Sequence, residues 1–472
     1  MRVPDIGQTV PFPVVRFRAS ELAVAAGGTL VGDDGWLDGL SFDSRDLTPG
    51  HLFVALTGER DGHLFVDSAV ASGAGGLLVS RTPDRPMPVP VVVVEDTLAA
   101  MGELAGHLRR GVLAGAVTVG ITGSVGKTST KDLVVGALGG RQRVVANPRS
   151  FNNEQGLPWT VANAPIDSGV LVLEMGMRGP GQIADLCRIA RPSIGVVTAV
   201  GHAHTELLGG LDGVAAAKGE LIEALPGDGT AVLNADDARV AAMASRTRSR
   251  VITYGSGGDV RIARISLDTR SRATLVVDSP WGRVETTLAI PGRHMASNAL
   301  AAIAVAGVVH GDLDEVADGL AGVHGSDHRM RLVTTGDGLT IVDDCYNANP
   351  TSMFAAVEAV VAMDARRRVA VLGPMAEVAD TTERHLEVAA ALRDAGVALV
   401  AVGTDLYGIS ASPAPLDDIT ALLEGWEPRD AIVLVKGSRV ARLETLVDAI
   451  ASSRPASPHQ DTRPASDVPG GG

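Results

Sequence analysis

AVTVGITGSVGKTSTKDLVVGAL, residues 116–138, decides the fold. Residues 116–122 are an uncharged, largely apolar run of strand length. Gly123, Ser124, Val125, Gly126, Lys127, Thr128 and Ser129 interrupt it, and a helical pattern follows. A strand feeding a glycine loop and then a helix N-terminus makes a phosphate cradle. The glycines let backbone N–H groups close around oxygens, Lys127 brings a cation, and the Thr128 hydroxyl can hold Mg²⁺. The helix N-terminus adds positive dipole character. The full P-loop pattern would place glycine at 121, where this chain has Ile121, so the match is to a shortened Thr-Gly-x-x-Gly-Lys-Thr form. The plain alternative is a glycine-rich turn with a surface lysine.

Outward from this loop, strand and helix patterns alternate. Helices are predicted over 97–110, 181–189 and 212–225, and strands over 170–174, 193–200 and 230–233. Such alternation implies a mostly parallel sheet covered on both faces. A second series begins near residue 328, with strands over 340–343, 368–372, 398–402 and 431–435. Helices over 352–362 and 385–395 and a final helix accompany them. The segment before the first helix reads as short strands and turns ending in a strand over 88–95. The expectation is an α/β protein of three domains: a small α/β N-terminal domain (1–97), a central parallel-sheet P-loop-type ATPase domain (98–327) and a C-terminal Rossmann-like α/β domain (328–453). Residues 454–472 are rich in Pro, Ser, Asp and Gly and are expected to be a disordered tail.

The 472 residues exceed what one core usually serves. Aromatics make up only 3%, so the cores must be built from Ala, Val, Leu and Ile. A net charge of −14 argues against a nucleic-acid partner, since phosphate neutralisation needs clustered cations. It leaves room for a local phosphate site. Two cysteines, Cys187 and Cys345, are too few for a disulfide framework and fit a reducing cytosol. The N-terminal stretch lacks the basic and apolar regions of a secretory signal, and the longest apolar runs, such as 89–94, are strand-length, so no membrane insertion is expected.

Glu174 closes the strand 170–174. Ligand sites of open parallel sheets lie at the carboxyl ends of strands, which places this acid well for a metal. His202 and His204 lie beyond the next strand, in Gly201-His-Ala-His-Thr-Glu206. They can bind metal, but a spacing of two is not diagnostic, and taken alone the pair reads rather as exposed loop histidines. Lys218 falls on a predicted helix beside Glu220, where periodicity alone makes it a solvated helix-face lysine.

Many stretches, in order, resemble the Mur ligase family. They are DSRDLTPGHLFVALTGERDGHLF from Asp43, TGSVGKTSTK from Thr122, FNNEQGLP from Phe151, LVLEMGMRGPGQI from Leu171, VVTAVGHAHTELLG from Val196, AAKGELIEAL from Ala216, SNALAAIAVA from Ser297, DDCYNANPTSM from Asp343 and LVKGSR from Leu434. The resemblance implies an ATP-dependent amide-bond ligase using Mg²⁺, cytoplasmic, working on peptidoglycan precursors; a monomer is expected. Asn152-Asn153 and Tyr346-Asn347-Ala348-Asn349-Pro350 point to UDP-N-acetylmuramoyl-tripeptide and D-alanyl-D-alanine as its substrates. By the same resemblance, Ser44 and Arg45 hold the uridine diphosphate part. Thr128 and Glu174 ligate one Mg²⁺, and His204 ligates a second. Lys218 carries a carbamate, Asn298 lies at the adenine, and Arg329 and Asp344 serve the ATP phosphates and ribose. Another ligase of the superfamily, such as a folylpolyglutamate synthetase, shares the ATP loop, and a nucleotide-switched ATPase is the reading from a different class.

The chain departs from the family pattern in two places. Gly373-Pro374-Met375 stands where Gly-Asp-Met is frequent, with Ala379 in place of a closing glycine. Cys345 stands where serine is usual, either as a packing change or as a reactive thiol.

Overall fold

The computed structural model describes residues 14–148, 151–201, 208–376, 378 and 381–454. These divide into two compact units. The first runs to residue 326, except for 267–273 and 290–293, which group with the second.

The heart of the first unit is a six-stranded sheet ordered Arg250–Tyr254, Thr230–Asn234, Ile194–Val197, Val117–Thr122, Val170–Glu174 and Val144–Ala146. Every pairing in it is parallel. The strand Val170–Glu174 is buried throughout, as a strand covered on both faces must be. The predicted strands over 193–200 and 88–95 are shorter in the structure, Ile194–Val197 and Val91–Val93. The two edge strands, Arg250–Tyr254 and Val144–Ala146, were not anticipated.

The helix Lys127–Leu138 lies against the helix Met295–His310, whose sequence is apolar almost all round. Its run of alanines answers the shortage of aromatics by letting backbones approach closely. A three-stranded antiparallel sheet, Arg261–Leu267, Arg272–Ser279 and Gly282–Pro291, also departs from the expected strand–helix alternation.

Toward the N-terminus lies a second sheet, ordered Thr29–Val31, Val91–Val93, Gly76–Val79, Leu52–Val54 and Leu40–Ser41. Only its first pair is antiparallel. Beyond the expected strands and turns, this segment holds the helices Ala19–Ala25 and Val66–Ala71. One apolar core joins it to the central sheet: Phe17, Leu22, Leu37 and Leu40 belong to the same cluster as Leu104, Leu157, Val161 and Leu171. Asn163 closes the join. Its Oδ1 accepts from the Leu40 N–H (3.0 Å) and its Nδ2 donates to the Leu40 carbonyl (2.9 Å), as a neighbouring strand would. Phe151 stands edge-on to Trp159 at 5.6 Å and tilted to Phe42 at 6.4 Å.

The second unit has a five-stranded sheet ordered Arg331–Thr334, Thr340–Asp344, Ala431–Lys436, Arg367–Leu372 and Ala398–Ala401. The edge strand Arg331–Thr334 is antiparallel, which the alternating pattern did not show; the other pairings are parallel. The helix expected over 352–362 begins earlier, at Pro350. Asn349 caps it and proline takes the first turn, where its missing N–H costs nothing. Residue 454, assigned to the tail, is held: Arg454 pairs with Asp337 at 2.9 Å, and its carbonyl accepts from the Gly336 N–H. Residues 455–472 lie outside the described residues. No described helix is long and apolar enough to cross a membrane.

Candidate active site

The loop at 123–128 is braced from the neighbouring strand exit. Gly123 (φ 155°) and Gly126 (φ 81°) hold positive φ. A side chain at Gly123 would collide with Thr198 Oγ1, and a Cβ at Gly126 would stand 2.7 Å from Asn298 Oδ1. Thr198 Oγ1 donates to the Val125 carbonyl at 2.6 Å. Ser124 exchanges two bonds with Gly201: its Oγ accepts from the Gly201 N–H (2.9 Å) and donates to the Gly201 carbonyl (3.1 Å). Lys127 folds over the loop, with Nζ 2.7 Å from the Gly123 carbonyl. Ser129 is buried behind it in the first turn of the helix. Sequence reasoning missed Thr198, whose only signal was a hydroxyl at the end of an apolar strand.

Glu174 pairs in register with Ile121, so its carboxylate leaves the sheet level with the loop. It is 1% exposed. Thr128 Oγ1 donates to Oε2 (2.9 Å) and Asn152 Nδ2 to Oε1 (2.7 Å). Among the described residues no cation pairs with it. Asn147, also unforeseen, accepts from the Glu174 N–H through Oδ1 at 2.6 Å and fixes the strand end. Asn153 lies just ahead of the helix Gly156–Ala162 and accepts from the Gly156 N–H at 3.0 Å. The paired asparagines therefore divide: one touches the acid and the other shapes the backbone.

Lys218 lies on the helix Leu211–Glu223 and is 3% exposed, so the surface-lysine reading fails. Burial, and then the charge of Lys127, push its pKa well below the ordinary lysine value. Glu220 faces elsewhere, accepting from the Gly181 and Ala184 N–H groups. His202 and His204 lie outside the described residues.

In the N-terminal segment Ser44 is buried and Arg45 is exposed. Arg45 forks onto Asp43, Nε to Oδ1 at 2.9 Å and Nη2 to Oδ2 at 2.7 Å. The Arg45 guanidinium holds the Asp43 carboxyl at about 2.

In the second unit, loops after three parallel strands meet at the carboxyl edge of the sheet. Gly437 comes so near Gly373 that a Cβ there would stand 2.9 Å from the Gly373 Cα. The Ser438 N–H donates to the Pro374 carbonyl, and Ser438 Oγ accepts from the Ala376 N–H. Proline at 374 thus sits where its carbonyl, not an acid, is used. His385, fully buried, accepts from the Met375 N–H through Nε2 at 2.9 Å, and Tyr407 donates to the Gly373 carbonyl at 2.8 Å.

Arg329 lies between His328 (φ 59°) and Met330 (φ 55°), two left-handed residues held by the acids that end the strand Thr340–Asp344. Asp343 engages His328 and Arg331, while Asp344 accepts from the Met330 N–H and pairs with buried Lys436 at 2.6 Å. Arg329 lies 4.2 Å from the centre of the Tyr346 ring. Asn347 is exposed. Asn349 is committed to its cap, with Oδ1 accepting from the Ser352 N–H at 2.9 Å. Cys345 is 2% exposed and donates to Asp343; burial raises its pKa, so it is the packing change and not a reactive thiol.

A parallel sheet with a glycine loop, a loop lysine and a buried acid beside the loop threonine defines a nucleotide-using α/β enzyme. The profile of the Mur ligase middle domain matches residues 121–306, and that of the Mur ligase, glutamate ligase domain matches residues 328–459. The chain belongs to the Mur ligase family, and it is an ATP-dependent ligase with that family's three-domain architecture. It is 43% identical, over 372 residues, to the UDP-N-acetylmuramoyl-tripeptide–D-alanyl-D-alanine ligase of Mycobacterium tuberculosis (strain H37Rv), covering 72% of each chain. Among solved structures it resembles MurF from Acinetobacter baumannii (TM-score 0.85, 28% identity, 93% of this chain and 100% of that one). It also resembles MurF ligase from Thermotoga maritima in complex with ADP (TM-score 0.77, 26% identity, 88% and 97%).

Proposed function

We propose that the chain joins D-alanyl-D-alanine to UDP-N-acetylmuramoyl-tripeptide at the expense of ATP, as a cytoplasmic step in peptidoglycan precursor synthesis. The observation that carries the chemistry is the buried Glu174 carboxylate beside Thr128, with Lys127 folded over the adjoining glycine loop.

A carboxylate is a poor acylating agent because its oxygen is a bad leaving group. Moving the γ-phosphoryl group of ATP onto the tripeptide carboxylate gives an acyl phosphate. The dipeptide amine attacks its carbonyl, and the tetrahedral intermediate expels phosphate. Two anions must meet in the first step, so the protein's work is charge neutralisation and alignment. The N–H groups of the loop and the helix N-terminus bind phosphate oxygens, and Lys127 offsets their charge.

The donor set fits Mg²⁺. Thr128 and Glu174 offer hard oxygens, and a buried carboxylate whose described partners are a hydroxyl and an amide gains from a cation. Bound there, Mg²⁺ neutralises phosphate charge. Lys218 as an ammonium has donors only and cannot ligate a metal. Its depressed pKa supplies the neutral amine that CO₂ needs, and the carbamate adds anionic oxygens for Mg²⁺. His204 is the proposed ligand of a second Mg²⁺. Asn298, set against Gly126, serves the adenine, and Ser44 and Arg45 serve the uridine diphosphate. Arg45 would exchange one anion, Asp43, for another. Arg329 supplies a cation to the phosphates and Asp344 serves the ribose; Tyr346 and Asn347 serve the dipeptide.

The test is to incubate the protein with ATP, Mg²⁺, the UDP-linked tripeptide and D-alanyl-D-alanine. ADP, phosphate and the UDP-linked pentapeptide are expected in equal amounts, the last identified by mass. Rapid ATP hydrolysis without either co-substrate, and no coupled product, overturns the reading and favours a nucleotide-switched ATPase.

A further inference from the structure

The LVKGSR stretch at the end of the strand Ala431–Lys436 has no part in the roles above. Its arginine has a specific environment. Arg439 lies 5.5 Å from the centre of the Tyr346 ring, and Arg329 lies 4.2 Å from the same ring. Among the described residues neither guanidinium has an ion pair. Many of the described arginines pair with a carboxylate; these two share one ring and pair with none. A guanidinium stacked on a ring keeps its N–H edge free, and that edge matches a carboxylate in a two-point fork.

Position narrows the anion. Tyr346 follows the strand Thr340–Asp344 and Arg439 follows the neighbouring Ala431–Lys436, so both stand at the carboxyl edge where open α/β sheets bind ligands. The Arg439 loop is fixed rather than adaptable. Ser438 is bonded to Pro374 and Ala376, and Gly437 is pressed against Gly373. Arg439 itself is exposed. The dipeptide must attack as a neutral amine, so its C-terminal carboxylate is then its only charge and its best handle for recognition.

We propose that Arg439, stacked on Tyr346, binds the free C-terminal carboxylate of the acceptor dipeptide and so selects an acceptor with an ionised end. The inference rests on the reaction proposed above.

The test compares D-alanyl-D-alanine with D-alanyl-D-alaninamide, which lacks the charge, in the wild type and in Arg439→Gln and Arg439→Lys. The wild type should show a KM for the amide about 10²-fold above that for the acid. Arg439→Gln should raise the KM for the acid by a similar factor, abolish the preference, and leave the KM for ATP and for the tripeptide within about threefold. Arg439→Lys should fall between, because it keeps charge but not the fork. An unchanged melting temperature is expected, since the side chain is exposed. A wild type that makes no pentapeptide overturns the proposed reaction, and this inference with it. A wild type that uses acid and amide equally, or an Arg439→Gln enzyme that keeps the preference, overturns the inference alone. A rise in the KM for ATP with none for the dipeptide assigns Arg439 to the nucleotide instead.

Discussion

Lys218 is the residue where burial and chemistry meet most directly. An ammonium at 3% exposure costs folding free energy, and its neighbour Lys127 adds repulsion. Nothing about folding requires a lysine there. Lys218→Met should therefore keep or raise the melting temperature while lowering turnover by on the order of 10²-fold or more. Lys218→Ala should lose as much, and short carboxylates such as acetate should restore part of it by occupying the carbamate's place. A Lys218→Met enzyme within tenfold of wild type would return the lysine to a structural role. Its burial was not legible from periodicity, because Glu220 and Glu223 suggest a solvated face. Glu220 instead caps another helix, and Glu223 pairs with Arg246 at 2.8 Å. Only the resemblance to known motifs marked the position.

At the scale of elements, Asn349, expected to contact substrate, spends its carboxamide oxygen on a helix cap. Its carboxamide oxygen accepts from the Ser352 N–H, and in return the Ser352 hydroxyl oxygen accepts from the Asn349 N–H. Asn349→Ala should cost about 1 kcal/mol in urea unfolding. Asn349→Ser, which can still cap, should keep both stability and turnover. Lost turnover at unchanged stability in Asn349→Ser would assign the side chain to substrate. The strand–loop–helix at 117–138 and the helix Thr97–Arg110 were legible because apolar runs, glycines and periodicity agree there. The antiparallel sheet at 261–291 was not. Its first strand, RIARISL, is exposed or half-buried throughout and carries no clean alternation. Asn147 and Thr198 were missed because a polar residue in an apolar strand end announces a bond without naming its partner.

For the whole molecule, protonation sets a direction. His51, His310 and His385 all have pKa values lowered by burial, and His385 Nε2 is committed as an acceptor from Met375. A histidine whose folded pKa lies below its unfolded value, about 6.5, binds fewer protons when folded. Its stabilisation is complete above that unfolded value and is lost as pH falls below it. The melting temperature should climb between about pH 5 and 7, and His385→Gln should reduce the slope. A flat or falling profile would contradict this. The join between the N-terminal and central sheets has a different kind of consequence. Asn163 serves Leu40 as a strand neighbour would, and Phe42 meets Phe151 next to Trp159. The N-terminal segment is therefore no freely exchangeable module. A chimera that grafts a relative's first domain onto this chain must bring the matching helix Gly156–Ala162 and its following asparagine along. Otherwise it opens a seam through the apolar core.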